Sequence, residues 1–385
     1  MFPKEDLKTY LKAHVLVFFV HNIFKYSLHQ VIWPLAAGIN TMSKNLKPIH
    51  LDYSGAGYSP SALVKRSIYS ASKQADCYPY EGYDMLHEKI AEYCKTESRN
   101  IYATNGGDEA IELLVTIFGR KMLVPIPTYN EYEYIGKSRN SEIRYKNCLR
   151  DDNSYSLNYT KADLKWATLI WICNPNNPTG SIIPREDILW VLDNTDAIVA
   201  VDEAYYEFAG NSVVDLIKKY KNLVVLRTFS KGFGLAGLRL GYMVSDSSRI
   251  SSLKAAAQEF NVNRIARAAG IAALSSLGYY KKRIASMKRL RDEFEQFALG
   301  LGIYAFKSNG GFAFLKFKSI AELEKIYVGL KNKGIFVFKA SDSEFTGLKG
   351  PYMRIAIGNR GDLSVLKKEL KSLMQKQKLS DGKLR

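Results

Sequence analysis

A chain of 385 residues exceeds what one hydrophobic core usually serves, and with 46% hydrophobic residues it can bury two, so one large and one smaller domain are expected. The formal net charge of +17 suits nucleic acid, an anionic membrane face or a phosphorylated small molecule, and selects none of them by itself. Basic residues gather in KKRIASMKRLRDE (281–293) and after Leu366 at helical spacing, which reads as solvated faces; without a zinc-finger, RNA-binding or zipper pattern, nucleic acid has no reading element.

The first apolar stretch, AHVLVFFVHNIF (13–24), is too short to span a bilayer and contains His14, His21 and Asn22. Glu5 and Asp6 precede it and no small-residue cleavage site follows, which argues against a signal peptide. Residues 1–41 read either as an added amphipathic helix or as sequence upstream of a start at Met42. Cys77, Cys94, Cys148 and Cys173 show neither metal-ligand spacing nor a paired framework, so no metal is expected and a reducing cytoplasm fits.

Residues 42–76 carry too few signals to stand alone, and are expected to pack on the smaller domain. From about 85 to 245, helical patterns alternate with apolar runs that end in polar or glycine-rich turns, the pattern of a parallel α/β sheet. MLVPIP, TLIWICN, AIVAVDEAY and NLVVLRTFS are predicted strands. In such sheets ligands sit beyond the carboxyl ends of the strands, so residues there should converge. After about 250, helical patterns give way to GFAFLKF, GIFVFKA and MRIAIG and a last helix, which suggests a smaller α+β domain. The expected division is 77–260 for the large domain and 261–385 for the small one.

The chemically unusual residues lie at the predicted strand ends. In RTFSKGFGLAGLRLGY (227–242) a strand runs into Ser230 and Lys231, then a glycine-rich turn, then Arg239. A lysine there, beside a hydroxyl and followed by a guanidinium, fits an imine to an aldehyde cofactor whose phosphate is held nearby. Alone, it would read as a surface lysine. In IVAVDEAYYEF, Asp202 ends a wholly apolar strand, where an ionised carboxylate needs a strong partner. A pyridinium nitrogen is one; a helix N-cap is the plainer reading. Tyr205 could reach a phenolic oxygen of the same ring. ICNPNNPTG (172–180) has two prolines and a glycine that forbid helix, and its rigid loop presents Asn177 to that oxygen. NIYATNGGDEAIELL turns through Gly106 and Gly107 and starts a helix at whose first amides, those of Gly107 and Asp108, a phosphate can bind. In PTYNEYEY, Tyr129 can stack on a flat ring or simply pack in the core.

Together with YPY near 78 and MRIAIG, these segments make the chain resemble the fold-type I pyridoxal-phosphate aminotransferases, most closely their histidinol-phosphate aminotransferase branch. The motifs occur in the family's order over residues 50–370. The resemblance implies a large domain with a mostly parallel seven-stranded sheet between helices, plus a smaller α+β domain. It implies that Lys231 binds pyridoxal 5'-phosphate and shuttles a proton, that Asp202 pairs with the pyridine nitrogen, and that Tyr205 and Asn177 bind the ring oxygen. Ser230, Arg239 and the amides of Gly107 and Asp108 would hold the phosphate, with Tyr129 stacked on the ring. Tyr78 would reach the cofactor of a second subunit, so a homodimer is implied. Arg354 in MRIAIG matches the clamp on a substrate α-carboxylate.

Two departures bear on the substrate. Where the branch has an asparagine- and glutamate-bearing stretch, this chain has LDYSGAGYSPS (51–61), which keeps Tyr58 and Pro60. Where the branch has an arginine for a substrate phosphate, this chain offers Phe338 and Lys339; the lysine binds phosphate as a point charge and not a fork. LDYS is similar to the start of threonine-phosphate decarboxylases, so amino transfer to 2-oxoglutarate and decarboxylation both remain open. A third reading, a non-catalytic ligand sensor, lacks the roughly 100 residues that a DNA-binding domain and linker need.

Overall fold

The predicted apolar runs become strands in this computed structural model, which describes residues 48–53, 57–340 and 345–382. The expectations for residues 1–41 lie outside the described residues. In chain order the strands are β1 (Ile49–His50), β2 (Ile101–Thr104), β3 (Lys121–Ile126), β4 (Thr128–Tyr129), β5 (Glu142–Asn147), β6 (Leu169–Cys173), β7 (Ile198–Asp202) and β8 (Leu223–Thr228). There follow β9 (Gly241–Ser245), β10 (Tyr304–Phe306), β11 (Phe312–Lys316), β12 (Ile335–Phe336), β13 (Phe338–Lys339), β14 (Phe345–Thr346) and β15 (Tyr352–Ala356).

Seven strands form one sheet in the order β2-β9-β8-β7-β6-β3-β5. β9 runs antiparallel to both neighbours, and every other pair is parallel. The central strands are buried along their whole length, because helices cover both faces. Successive residues therefore serve two cores. Ile170, Ile172, Val199 and Val201 face a core shared with the helices Tyr83–Cys94 and Arg185–Asp193. Leu169, Trp171, Ala200 and Leu226 face another, shared with the helix Gly106–Phe118. This is the mostly parallel sheet between helices that the sequence predicts.

A second, antiparallel sheet has the order β10-β11-β15-β13. Its register sets Arg354 of β15 opposite Phe314 on one side and Phe338 on the other. Two further pairings tie distant segments together. β1 adds parallel to β12, and β14 adds antiparallel to β4, with Phe345 opposite Tyr129. The helix Ala62–Ser72, capped by Ser61 through the Val64 amide at 3.2 Å, packs on the helix Arg264–Leu274. In the basic helix Leu277–Gly300, Lys281, Lys282 and Arg283 are exposed, whereas Arg291 is buried and donates to the Gly310 carbonyl at 3.0 Å. No described helix is long and apolar enough to cross a membrane.

Candidate active site

A cavity of about 400 Å³ opens beyond the carboxyl ends of β6, β7 and β8. Asp202, the last residue of β7, lies on its wall yet is only 7% exposed. Its carboxylate accepts a hydrogen bond from the Tyr132 hydroxyl at 2.6 Å and one from the Ala204 amide at 2.9 Å. Burial pushes the carboxyl above its usual range, against these two donors, which favour the charged form. The same burial raises Tyr132 far above its ordinary value, so the phenol remains a neutral donor. Tyr132 itself is fixed by stacking on Trp171 at 4.4 Å.

Beyond β8 the chain turns through Ser230 and Lys231. The Thr228 side chain accepts from the Ser230 amide at 3.0 Å and lies 3.0 Å from its hydroxyl, which locks the turn. Lys231 lines the cavity with its Nζ 5.6 Å from the centre of the Tyr205 ring. Arg239, at φ +52, reaches the start of the helix Gly106–Phe118, where its guanidinium pairs with Asp108. Gly106, at φ +81, holds a conformation that favours glycine, and a Cβ there would also lie 2.7 Å from that guanidinium. Unpaired helix amides, a hydroxyl and a guanidinium thus line one end of the cavity, a donor set suited to phosphate.

The remaining walls come from loops and from the second sheet. The Tyr129 hydroxyl donates to Asp108 at 3.4 Å. Tyr205 packs edge-on to Phe312 at 5.1 Å. Asn177 is buried, and its Oδ1 accepts from Arg354 Nη1 at 2.8 Å, which leaves its amide N–H groups as donors toward the cavity it lines. Arg354 is 2% exposed; its Nη2 donates to the Asp52 carbonyl at 2.7 Å, and its Nε has no protein partner. Another cavity, of about 580 Å³, lies along Arg150, Lys316 and Tyr352 and contains none of the expected site residues.

Residues 52–369 match the model for aminotransferase class I and II. The chain belongs to this family. It is 36% identical over 295 residues to the histidinol-phosphate aminotransferase of Thermoanaerobacter pseudethanolicus, an alignment covering 75% of this chain and 82% of that one. The solved histidinol-phosphate aminotransferase of Clostridium acetobutylicum superposes with a TM-score of 0.77 at 26% identity, over 85% of this chain and 99% of that one. That of Sinorhizobium meliloti, solved in complex with pyridoxal 5'-phosphate, shares the fold with a TM-score of 0.78 at 21% identity, over 90% and 98% of the two chains.

Of the site residues expected in this aminotransferase from its sequence, ten line the one cavity: Gly107, Asp108, Tyr129, Asn177, Asp202, Tyr205, Ser230, Lys231, Arg239 and Arg354. Three do not. Tyr78 is 67% exposed and packs against Phe260 at 5.5 Å. Tyr58 lies behind the cavity, with its hydroxyl on the Gly232 carbonyl at 2.5 Å and its ring against Tyr279 and Tyr280. Lys339 corrects the expectation of a phosphate ligand. Its neighbour Phe338 shares the face of Arg354, so alternation along β13 sends Lys339 to the opposite face, where Glu324 binds it at 2.6 and 2.8 Å. Reasoning from sequence missed Tyr132, Thr228 and Tyr53. For Tyr132 a signal existed, its spacing three residues after Tyr129 on a helix start.

Proposed function

We propose that this aminotransferase binds pyridoxal 5'-phosphate at Lys231 and moves amino groups between an amino acid or amino-alcohol phosphate and 2-oxoglutarate. The observation that carries the reading is the convergence of Lys231, a buried Asp202 and a phosphate-type donor set in one cavity. The residues fit the cofactor. Asp202 is a desolvated carboxylate held only by neutral donors, which suits a cationic ring nitrogen, and the Gly106–Arg239 cradle suits the phosphate. When bound, pyridoxal phosphate supplies an aldehyde that condenses with amines and a protonated ring that draws electrons from the substrate α-carbon.

The chain's own groups do the rest. Asp202 keeps a proton at the ring nitrogen, and Tyr132 and Ala204 keep Asp202 aimed and ionised in the loaded site. The Lys231 amine takes the α-proton and returns it on the other side of the exchange. The Asn177 amide and the Tyr205 hydroxyl would hold the ring oxygen, and Tyr129 would cover the ring face. Ser230, Arg239 and the amides of Gly107 and Asp108 anchor the phosphate. Arg354 receives the anionic head of the substrate. An amino acid offers it a carboxylate, whereas histidinol phosphate carries a phosphate ester in that place.

The Thermoanaerobacter relative's name supports histidinol phosphate as a donor to test. We also propose a homodimer in the cytoplasm, in which Tyr78 reaches the cofactor of the second subunit; its exposure beside Tyr80 supports this. Borohydride treatment of the loaded protein should fix the cofactor to the peptide carrying Lys231, and amino donors with 2-oxoglutarate should yield glutamate. Carbon dioxide from threonine phosphate alone, without glutamate formation, would instead establish a decarboxylase.

A further inference from the structure

The positive charges that line the cavity can be accounted for one by one. Among the described residues its cations are Arg227, Lys231, Arg239 and Arg354. Arg227 is neutralised by Glu203, whose Oε2 lies 2.9 Å from Nε and 2.8 Å from Nη2. Arg239 is at the helix start with Asp108, and Lys231 is committed to the cofactor. Among the described residues of one subunit, Arg354 is what remains to face a substrate anion.

Arg354 is a single positive charge in dry, aromatic surroundings. Its guanidinium carbon lies 5.6, 5.0 and 4.9 Å from the ring centres of Phe312, Phe338 and Phe345. Its protein partners, the Asn177 and Asp52 oxygens, are neutral. A carboxylate therefore matches the single charge of Arg354 and can take two parallel N–H donors, one of them the unpartnered Nε. A phosphate ester carries about −1.5 to −2 charges at pH 7 and leaves part of that charge uncompensated where desolvation is costly. The position that could have supplied a second cation is Phe338, which pairs in register with Arg354. Tyr53, which lines the cavity, lies edge-on to Phe338 at 5.3 Å, and the Phe338 ring packs on the Arg354 guanidinium. These two rings form an aromatic wall beside the guanidinium, at distances where a further ring gains from edge or offset contacts.

We propose that the preferred amino donor is an α-amino acid with an aromatic side chain, its carboxylate on Arg354 and its ring against Phe338 and Tyr53, and not a phosphate ester. This inference rests on the aminotransferase reading above and specifies its substrate.

The test compares phenylalanine, leucine, histidine and histidinol phosphate as donors to 2-oxoglutarate with the loaded enzyme. Histidine and histidinol phosphate differ only in the head group; phenylalanine and leucine differ only in the side chain. Phenylalanine should exceed leucine, and histidine should exceed histidinol phosphate, each by about tenfold or more in kcat/KM. Phe338→Arg should raise histidinol phosphate relative to histidine by about tenfold, and Phe338→Leu should bring phenylalanine and leucine together. Independently of turnover, calorimetry should show 3-phenylpropanoate binding the loaded protein more tightly than histidinol phosphate. Preference for histidinol phosphate in both kinetics and calorimetry overturns the inference while leaving the aminotransferase intact. Failure of borohydride to fix cofactor to Lys231, with no glutamate from any donor, instead removes the reading on which it rests.

Discussion

The cofactor side and the substrate side of the cavity are built in different ways. On the cofactor side, Asp202, Ser230 and Lys231 sit at or just beyond the ends of adjacent parallel strands, and both faces of those strands are buried. Their positions follow from strand order alone. On the substrate side, Arg354, Phe338 and Tyr53 come from a short antiparallel pairing and from the segment after β1, joined across roughly 300 residues of sequence by the bond from Arg354 to the Asp52 carbonyl. There, one residue of alternation decides whether a side chain packs on Arg354 or meets Glu324. A parallel sheet imposes its site, whereas short strands at the rim let specificity change one side chain at a time.

The most severe test of the cofactor side is Lys231→Ala. Loss of the amine should abolish borohydride-stable attachment and lower turnover by at least about a thousandfold, because a general base and the covalent tether go together. Retained attachment would move the tether elsewhere. Next comes Asp202→Ala. Cofactor should remain partly bound through the phosphate cradle, while turnover falls by about a hundred- to a thousandfold from the loss of one preorganised charge. Tyr132→Phe removes only one of the two hydrogen bonds on Asp202, and a smaller loss, about tenfold, is expected in kcat with KM little changed. Equal effects of Asp202→Ala and Tyr132→Phe would mean that the carboxylate works only through its orientation.

The same contrast explains what was legible in the sequence. Apolar runs ending in Asp202 and Ser230 announced buried strands, and the turn chemistry of Gly106, Pro175 and Pro178 announced the loops that meet them. Their convergence was expected because ligands in such sheets sit beyond the carboxyl ends of the strands. Lys339 was misplaced because charge type is visible in a sequence but face is not: β13 is two residues long, too short for its alternation to show. Tyr58 was misplaced because its contact with Gly232 joins segments 174 residues apart. The pairing of β14 with β4, which sets Phe345 across from Tyr129, left no local trace in either segment.

Behind the cofactor side, Glu207 offers a test through pH. It is half-buried, its Oε1 accepts from the Tyr93 hydroxyl at 3.3 Å, and its Oε2 has no partner. Burial pushes its carboxyl up to about 7, with Arg227 acting in the opposite direction and Glu203 in the same one. Between its ordinary value and about 7 the folded protein holds a proton that the unfolded chain has released. The stabilisation is therefore complete below the ordinary carboxylate range and is lost as pH rises through about 7. Glu207→Gln should flatten that decline by up to about 3 kcal/mol in denaturant titrations across the window. Glu295, also pushed to about 7, keeps its own share of the slope in both proteins. An unchanged slope in Glu207→Gln would place the titration at other buried carboxyls, Glu295 first among them. Because a Cβ on Gly232 would lie 2.6 Å from Glu207 Cβ, the residue also packs directly under the turn that carries Lys231.

The smallest expected effect belongs to Lys339, and it tests the substrate side. Its ammonium is held by both oxygens of Glu324 on the face of the small sheet turned away from Arg354. Glu324 is 42% exposed, so solvent screens the pair and its removal should cost less than about 1 kcal/mol of stability. Lys339→Ala should leave KM for histidinol phosphate and for histidine within about twofold of the unchanged enzyme, since neither ligand meets the side chain. The matching Glu324→Ala, and the two changes combined, should show that whatever stability is lost is lost through the pair. A rise in KM confined to the phosphorylated donor would put Lys339 back in the binding site. It would also supply the second cation whose absence argues for a carboxylate on Arg354, so the inference about the donor would fall with it.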